Sequence, residues 1–202
     1  MSDDAAPPQP PQAPQPGSGA ATPTPESTPG AVPVITTARL VLRPRTATDA
    51  DALFPAMSDP AVMHFWSRAP YGDVDALRAD FARVHAGWRA WAIIRSADGA
   101  TIGFVAAGEK WHGGVSEVGY LLARDAHRQG FAREALAGLI ATLFAEGQRR
   151  VSADVDPDNA PSIALLNRLG FRREGRLRDE WRTHIGVRDS LIFGLLAAEW
   201  RG

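Results

Sequence analysis

Apolar and polar residues alternate along Arg39-Leu40-Val41-Leu42-Arg43, the period-two pattern of a strand, which Pro44 should stop. The pattern then lengthens to a helical period. Thr48 is placed to cap a short helix carrying Leu53, Phe54 and Met57 on one face, with Asp51 three residues after the cap. Asp73 opens a second helix whose Val74, Leu77, Phe81 and Val84 keep helical spacing as far as Gly87. Between these helices, Asp59-Pro60 and Ala69-Pro70-Tyr71-Gly72 bracket a loop holding His64, Phe65 and Trp66.

Trp91–Ile94 and Ile102–Ala106 read as strands joined through Ala97-Asp98-Gly99 as a hairpin, and Glu117–Leu122 as a third strand. A glycine-bearing turn leads into a helix from Phe131 to about Glu146, packed through Ala132, Leu136, Leu139 and Leu143 and closed by Gly147. Val151, Ala153 and Val155 alternate in the next strand. Asn159-Ala160-Pro161-Ser162 starts a short helix ended by Gly170, and strands follow from Phe171 to about Leu177 and from Ser190 to about Leu196. The order β-α-α-β-β-β-α-β-α-β-β predicts an α/β fold whose central sheet is mixed, because hairpins interrupt the helical crossovers.

Composition changes this picture at one end. Ten of the 16 prolines precede Val34, in a run of Pro, Gln, Ala, Thr and Ser. Residues 1–33 are therefore expected to be a disordered, polyproline-II-like tail, and residues 34–202 one domain. Pro7-Pro8-Gln9-Pro10 fits a loose PxxP ligand pattern, although a solvated extension is the simpler reading. The body carries 22 basic and 20 acidic side chains, a balance that predicts no strong attraction to nucleic acid or an anionic membrane. The absence of cysteine excludes disulfides and thiolate-bound metal. The five histidines show no ligand spacing, so no metal is expected. No apolar run approaches the roughly 20 residues of a membrane span, and the acidic start lacks the features of a secretory signal, so a cytoplasmic protein is expected.

Candidate chemistry gathers at two helix starts. A helix N-terminus presents unpaired N–H groups and a partial positive charge, and Gly130 with the small Ala132 would let a ligand approach the backbone, most naturally a phosphate. Simple turn chemistry also explains a glycine there. The spacing fits neither a P-loop nor the dinucleotide fingerprint. Asn159 and Ser162 head a second helix directly after a strand, where α/β sheets collect ligands, although both residues also suit plain capping.

The run Glu117-Val118-Gly119-Tyr120-Leu121-Leu122, followed by His127-Arg128-Gln129-Gly130-Phe131-Ala132-Arg133-Glu134-Ala135, resembles motif A of the GNAT superfamily of acetyl-CoA-dependent N-acetyltransferases. Asn159-Ala160-Pro161-Ser162 with Leu169-Gly170-Phe171 is similar to the motif that follows it. The opening Thr37–Arg43 and the ending Arg188–Leu196 with Glu199-Trp200 resemble the RimJ/RimL-type branch, which includes ribosomal-protein N-terminal acetyltransferases.

The resemblance spans about residues 35–200 and implies the GNAT fold, with a splayed central sheet flanked by helices. It implies that the amides of Arg128, Gln129, Gly130, Phe131 and Ala132 hold the CoA pyrophosphate and that pantetheine pairs with the strand near Leu121 and Leu122. Asn159 would bond the pantetheine arm and Ser162 would lie near the thiol. Glycine inside a strand often marks a bulge, as expected at Gly119.

Acetyl transfer to an amine needs a proton acceptor for the amine, polarisation of the carbonyl and a proton for the thiolate. Glu117 is the candidate base, a backbone N–H near Leu122 the polarising group and Ser162 the candidate acid. A solvated edge glutamate is the plainer reading of Glu117. Two positions depart from the family pattern. The turn begins with His127 in place of Gln or Arg. Leu166 also stands where many relatives have a tyrosine acid, which leaves that role to Ser162.

Phe65 and Trp66 would line the acceptor pocket or anchor their loop, whereas Trp88 and Trp91 read as core packing. The expected acceptor is a protein N-terminal α-amine. A small amine (amino acid, polyamine or aminoglycoside), or a non-catalytic CoA-binding module, remains open, as does a monomer or a homodimer.

Overall fold

A computed structural model of the chain describes residues 32–111 and 113–202. The proline-rich segment and its PxxP pattern lie outside the described residues, apart from the last two positions of the expected tail. Among the described residues the order is β1 (Ile35–Thr36), β2 (Leu40–Pro44), α1 (Asp49–Met57), α2 (Val74–Phe81), β3 (Trp88–Arg95), β4 (Thr101–Glu109) and β5 (Val115–Leu122). It continues with α3 (Phe131–Ala145), β6 (Arg150–Val155), α4 (Ala160–Arg168), β7 (Arg172–Thr183) and β8 (Gly186–Leu196). Eight strands form one mixed sheet in the order β1-β2-β3-β4-β5-β6-β8-β7, with β5 and β6 the parallel neighbours. The expected α/β class holds, and so does the expected element order once the additional first strand, β1, is placed ahead of it.

Two apolar layers sandwich this sheet. On one face Leu136, Leu139, Ile140 and Leu143 of α3 and Leu166 of α4 pack on Leu42, Val105, Val118 and Val151. On the other, Leu53 and Met57 of α1 and Leu77 and Phe81 of α2 pack on Phe104 and Leu121. β1 had no clear alternation to announce it. It crosses α3 where Gly138 sits, and a Cβ there would come 3.0 Å from Thr37 Cγ2 and 3.3 Å from Ile35 Cγ2.

Several local expectations are corrected. Thr48 makes no capping bond to α1. Instead Asp49 reaches back to accept from the Thr46 backbone N–H at 2.8 Å, and the Arg43 guanidinium grips both its oxygens at 2.9 and 2.5 Å. Pro44 does not stop β2. It pairs with Trp91 where β1 has already ended, so its missing N–H breaks no ladder. Asp73 does cap α2, accepting from the Ala76 N–H at 2.7 Å, but the helix ends at Phe81 and leaves Val84 91% exposed. β7 and β8 run well beyond their expected limits and pair through an irregularity between Leu177 and Trp181, where Asp179 adopts φ +52°.

Candidate active site

β5 and β6 pair only through Val115–Arg150, Ser116–Val151 and Glu117–Ser152. Beyond Glu117 the two strands separate, and the second half of β5 keeps β4 as its only sheet neighbour. The helix starts that follow β5 and β6 belong to the same side of the sheet, as shown by the shared packing of α3 and α4. An edge inside a sheet leaves backbone groups without strand partners. Which residues offer them follows from two bonds. The Ala123 N–H donates to Ile102 O at 2.8 Å on the β4 side, whereas the Leu122 carbonyl one residue earlier meets His127 Nε2 at 2.9 Å. By strand alternation Tyr120 shares the open edge with Leu122, and Leu121 faces β4. Of the two residues expected to present backbone to the gap, Leu121 is therefore replaced by Tyr120. Leu121 instead buries its side chain among Phe104 and the α1–α2 residues. No bulge occurs at Gly119. Its register with Ala106 is regular, and a Cβ there would meet nothing within 4 Å, so it faces open space.

The turn before α3 is built from two left-handed residues, Arg128 at φ +60° and Gly130 at φ +82°. Gly130 is the N-cap of α3, and no side chain caps the helix. The first N–H groups of the helix are left for a ligand, the arrangement that favours anions. Residues 127–130 are exposed, Phe131 is buried and Ala132 lies between. Arg39, the residue before β2, buttresses the turn. Its Nε donates to Glu134 Oε2 at 2.7 Å, its Nη1 to Gln129 O at 3.1 Å, and its guanidinium lies 4.5 Å from the Phe131 ring centroid. Glu134 also accepts from the Thr37 hydroxyl and the Arg39 N–H, each at 2.7 Å. Beside the turn lies a concavity of about 710 Å³, lined by Arg133, Arg168, Arg172 and Trp200 among others.

At the second helix start Asn159 Oδ1 accepts from the Ser162 N–H at 3.2 Å, so the amide caps α4. Ser162 Oγ hydrogen-bonds the Tyr120 hydroxyl, bridging α4 to the open edge of β5. Burial pushes the Tyr120 phenol up from its ordinary value, and the bond to Ser162 opposes that. Tyr120 is not among the candidates read from the sequence, because only its side-chain partner, 42 residues away, marks it.

Glu117 lies on the opposite face from Ser162, at the last paired position before the gap. It forms an ion pair with Lys110 at 2.7 Å. Trp66 joins the layer that holds Phe104, with ring centroids 5.6 Å apart, while Phe65 makes an edge contact with His64. Of this pair, then, Trp66 packs against the strand beside β5 and Phe65 stays within its loop. Trp91 is core, its indole N–H donating to Pro33 O at 2.7 Å, but Trp88 is not, being 46% exposed. Among the described residues no group of His, Asp or Glu side chains is arranged to hold a metal ion, and no helix is long and apolar enough to cross a membrane.

A family model for the acetyltransferase (GNAT) domain matches residues 39–172. The chain is 35% identical over 175 residues to the uncharacterized N-acetyltransferase p20 of Bacillus licheniformis, covering 82% of this chain and 97% of that protein. A probable GNAT-family acetyltransferase from Chromobacterium violaceum superposes with a TM-score of 0.77 at 27% identity, over 95% of this chain and 99% of that one. A protein named for ribosomal-protein-serine acetylation from Vibrio cholerae does so with a TM-score of 0.67 at 26% identity, over 82% and 98%. The chain belongs to the GNAT family of acetyltransferases. Its activity is acetyl-CoA-dependent N-acetyl transfer.

Proposed function

We propose that this enzyme acetylates the α-amine at a polypeptide N-terminus, as in the RimJ/RimL-type branch, through the gap between β5 and β6. The observation that carries this reading is that the two sides of the gap differ. Tyr120 meets Ser162 of α4, whereas Glu117 and Gly119 face the side of the α1–α2 layer, so on this reading donor and acceptor meet from opposite faces of the sheet. A protein acceptor is supported by the opening and closing motifs and by the relative named for ribosomal-protein-serine acetylation.

The uncapped start of α3 fits a pyrophosphate. Amides of Arg128, Gln129, Gly130, Phe131 and Ala132 supply the donors, and Arg133 and Arg168 add positive charge in the neighbouring concavity. The backbone of Tyr120 and the Leu122 N–H hold the pantetheine arm along the open edge, Leu121 anchors that strand in the α1–α2 layer, and the Asn159 amide NH2 donates from the start of α4. Bound acetyl-CoA supplies the activated acetyl thioester. In the transfer a bond forms between the amine nitrogen and the acetyl carbon while the carbon–sulfur bond breaks. Glu117 takes the amine proton, directly or through water, and the Tyr120–Ser162 pair supplies the proton that the leaving thiolate takes up. Trp66, with Phe65 on the same loop, borders the acceptor side.

The test is free-thiol release with mass spectrometry of products, using acetyl-CoA with a panel of peptides and small amines. Acetylated peptide α-amines are expected. In Glu117→Gln, kcat should fall by about 10² or more with little change in the KM for acetyl-CoA. Products confined to small amines, or no thiol release at all, would overturn the reading.

A further inference from the structure

The acceptor side of the gap has a floor of small residues. Ala90 pairs with Ala106 and Ala106 with Gly119, in one row across β3, β4 and β5. All three lie on the same face as Phe104 and Leu121, two residues along their own strands or in register with them, and each is partly exposed. The next row is walled. Trp88 pairs with Gly108, and a Cβ at Gly108 would fall 2.3 Å from the Trp88 indole, so the ring lies across Gly108 beside Glu117. The row above it is closed by Phe104, Trp66 and Leu121. These bulkier rows flank the small, partly exposed residues, which form a shallow trough running from Glu117 and Gly119 away from the gap.

Arg45 stands at its far end. Its backbone N–H donates to Ala90 O at 2.9 Å, and its side chain shares the face of Arg43, which grips Asp49 of α1. The guanidinium lies 3.9 Å from the Phe81 ring centroid and 5.3 Å from that of Phe104. Its Nε is buried with no hydrogen-bond partner among the described residues. The acidic side chain with the strongest influence on it, Asp80, is committed elsewhere. It accepts from the Tyr71 hydroxyl at 2.6 Å and approaches Arg68 at 3.6 Å and Arg83 at 4.0 Å. Asp80 and Asp49 act on the guanidinium only through their charge, and a buried N–H with no acceptor is costly unless a partner arrives. Aromatic faces recover part of that cost but supply no acceptor lone pair.

We infer that Arg45 is an anion-recognising subsite of the acceptor trough, so that the preferred acceptor carries a carboxylate several bonds from its reacting amine. This rests on the proposed transferase reading and narrows its substrate class. Two sources share that chemistry, an acidic side chain near a peptide N-terminus and a small amino-carboxylate. Polyamines are disfavoured, because a second ammonium would sit against the guanidinium.

The test compares kcat/KM in full-length enzyme for peptides that differ only by Asp, Asn or Lys at positions two and three. A second arm sets linear amino-carboxylates against alkylamines of matched length. The carboxylate acceptor is expected to be preferred by about tenfold or more over its neutral match in the arm that corresponds to the true source. In Arg45→Met, which keeps an apolar stem between the rings, that ratio should collapse towards one. Arg45→Lys should keep part of it, with thermal melting confirming that both variants fold. Equal rates for Asp, Asn and Lys peptides and for both amine series in the wild type, or an unchanged preference in Arg45→Met, would overturn this inference alone. Absence of turnover with every acceptor would overturn the transferase reading together with it.

Discussion

A single carboxylate, Glu134, holds the turn before α3 to the segment that links β1 and β2. Burial pushes its pKa up. The bonds from the Thr37 hydroxyl, the Arg39 N–H and the Arg39 guanidinium outweigh that and leave it below the ordinary carboxylate range. A depressed folded-state pKa stabilises the protein fully above the unfolded value of about 4.3, and the contribution is lost as pH falls through the folded value. Urea midpoints measured from pH 7 down to pH 3.5 should therefore drop more steeply for the wild type than for Glu134→Gln, which has no proton to gain. Parallel curves would mean that the network adds nothing. Thr37, Arg39 and Glu134 all stand in segments whose resemblance is plain from the sequence, but their contact spans 95 residues and no local pattern announces it. Arg45 was hidden for a related reason. An arginine after a strand-ending proline reads as a solvated residue until the rings of Phe81 and Phe104 are seen around it.

At the scale of elements, the structure keeps the Asp73 cap and the glycines that end α3 and α4, but not the Thr48 cap or the Gly119 bulge. α3 and α4 both stop at left-handed glycines, Gly147 and Gly170, and the next residue bonds back into the helix each time (Gln148 N–H to Leu143 O, Phe171 N–H to Leu166 O). α2 shows where periodicity misleads. Val84 keeps the helical spacing, but Trp88 must enter β3 to lie across Gly108, so the chain leaves the helix after Phe81 and turns through Gly87 at φ +76°. The long β7–β8 hairpin was obscured because its outer half is charged and exposed, without the alternation that a buried face imposes. α2 is only eight residues long, so its cap matters. Asp73→Ala should cost about 1 kcal/mol in equilibrium denaturation. Because α2 also carries Phe81 against Arg45, the same variant should raise acceptor KM more than acetyl-CoA KM. A stability loss with both KM values unchanged would show that α2 does not shape the trough.

For the molecule as a whole, the opening between β5 and β6 leaves part of the sheet without a partner strand, and on the proposed reading the donor takes that partner's place. Binding that occurs only in the folded state must then stabilise it. At a ligand concentration a hundredfold above Kd the gain is about 2.7 kcal/mol, which corresponds to a rise of about 5–10 °C in Tm for a chain of this size. The rise should depend on the turn before α3. Gly130 holds φ +82°, where side chains are strained, and a Cβ there would only touch Arg39 Nη2 at 3.4 Å. Gly130→Val is expected to lose a few degrees of Tm on its own through that strain. It should also lose the further rise on adding acetyl-CoA or CoA at concentrations that saturate the wild type. The two effects separate the causes. A lower baseline with a full ligand-induced rise would mean that the turn supports the fold but does not hold the donor, and the pyrophosphate would then have to be placed against the arginines of the neighbouring concavity. An unchanged baseline together with a lost rise would locate the defect in binding alone.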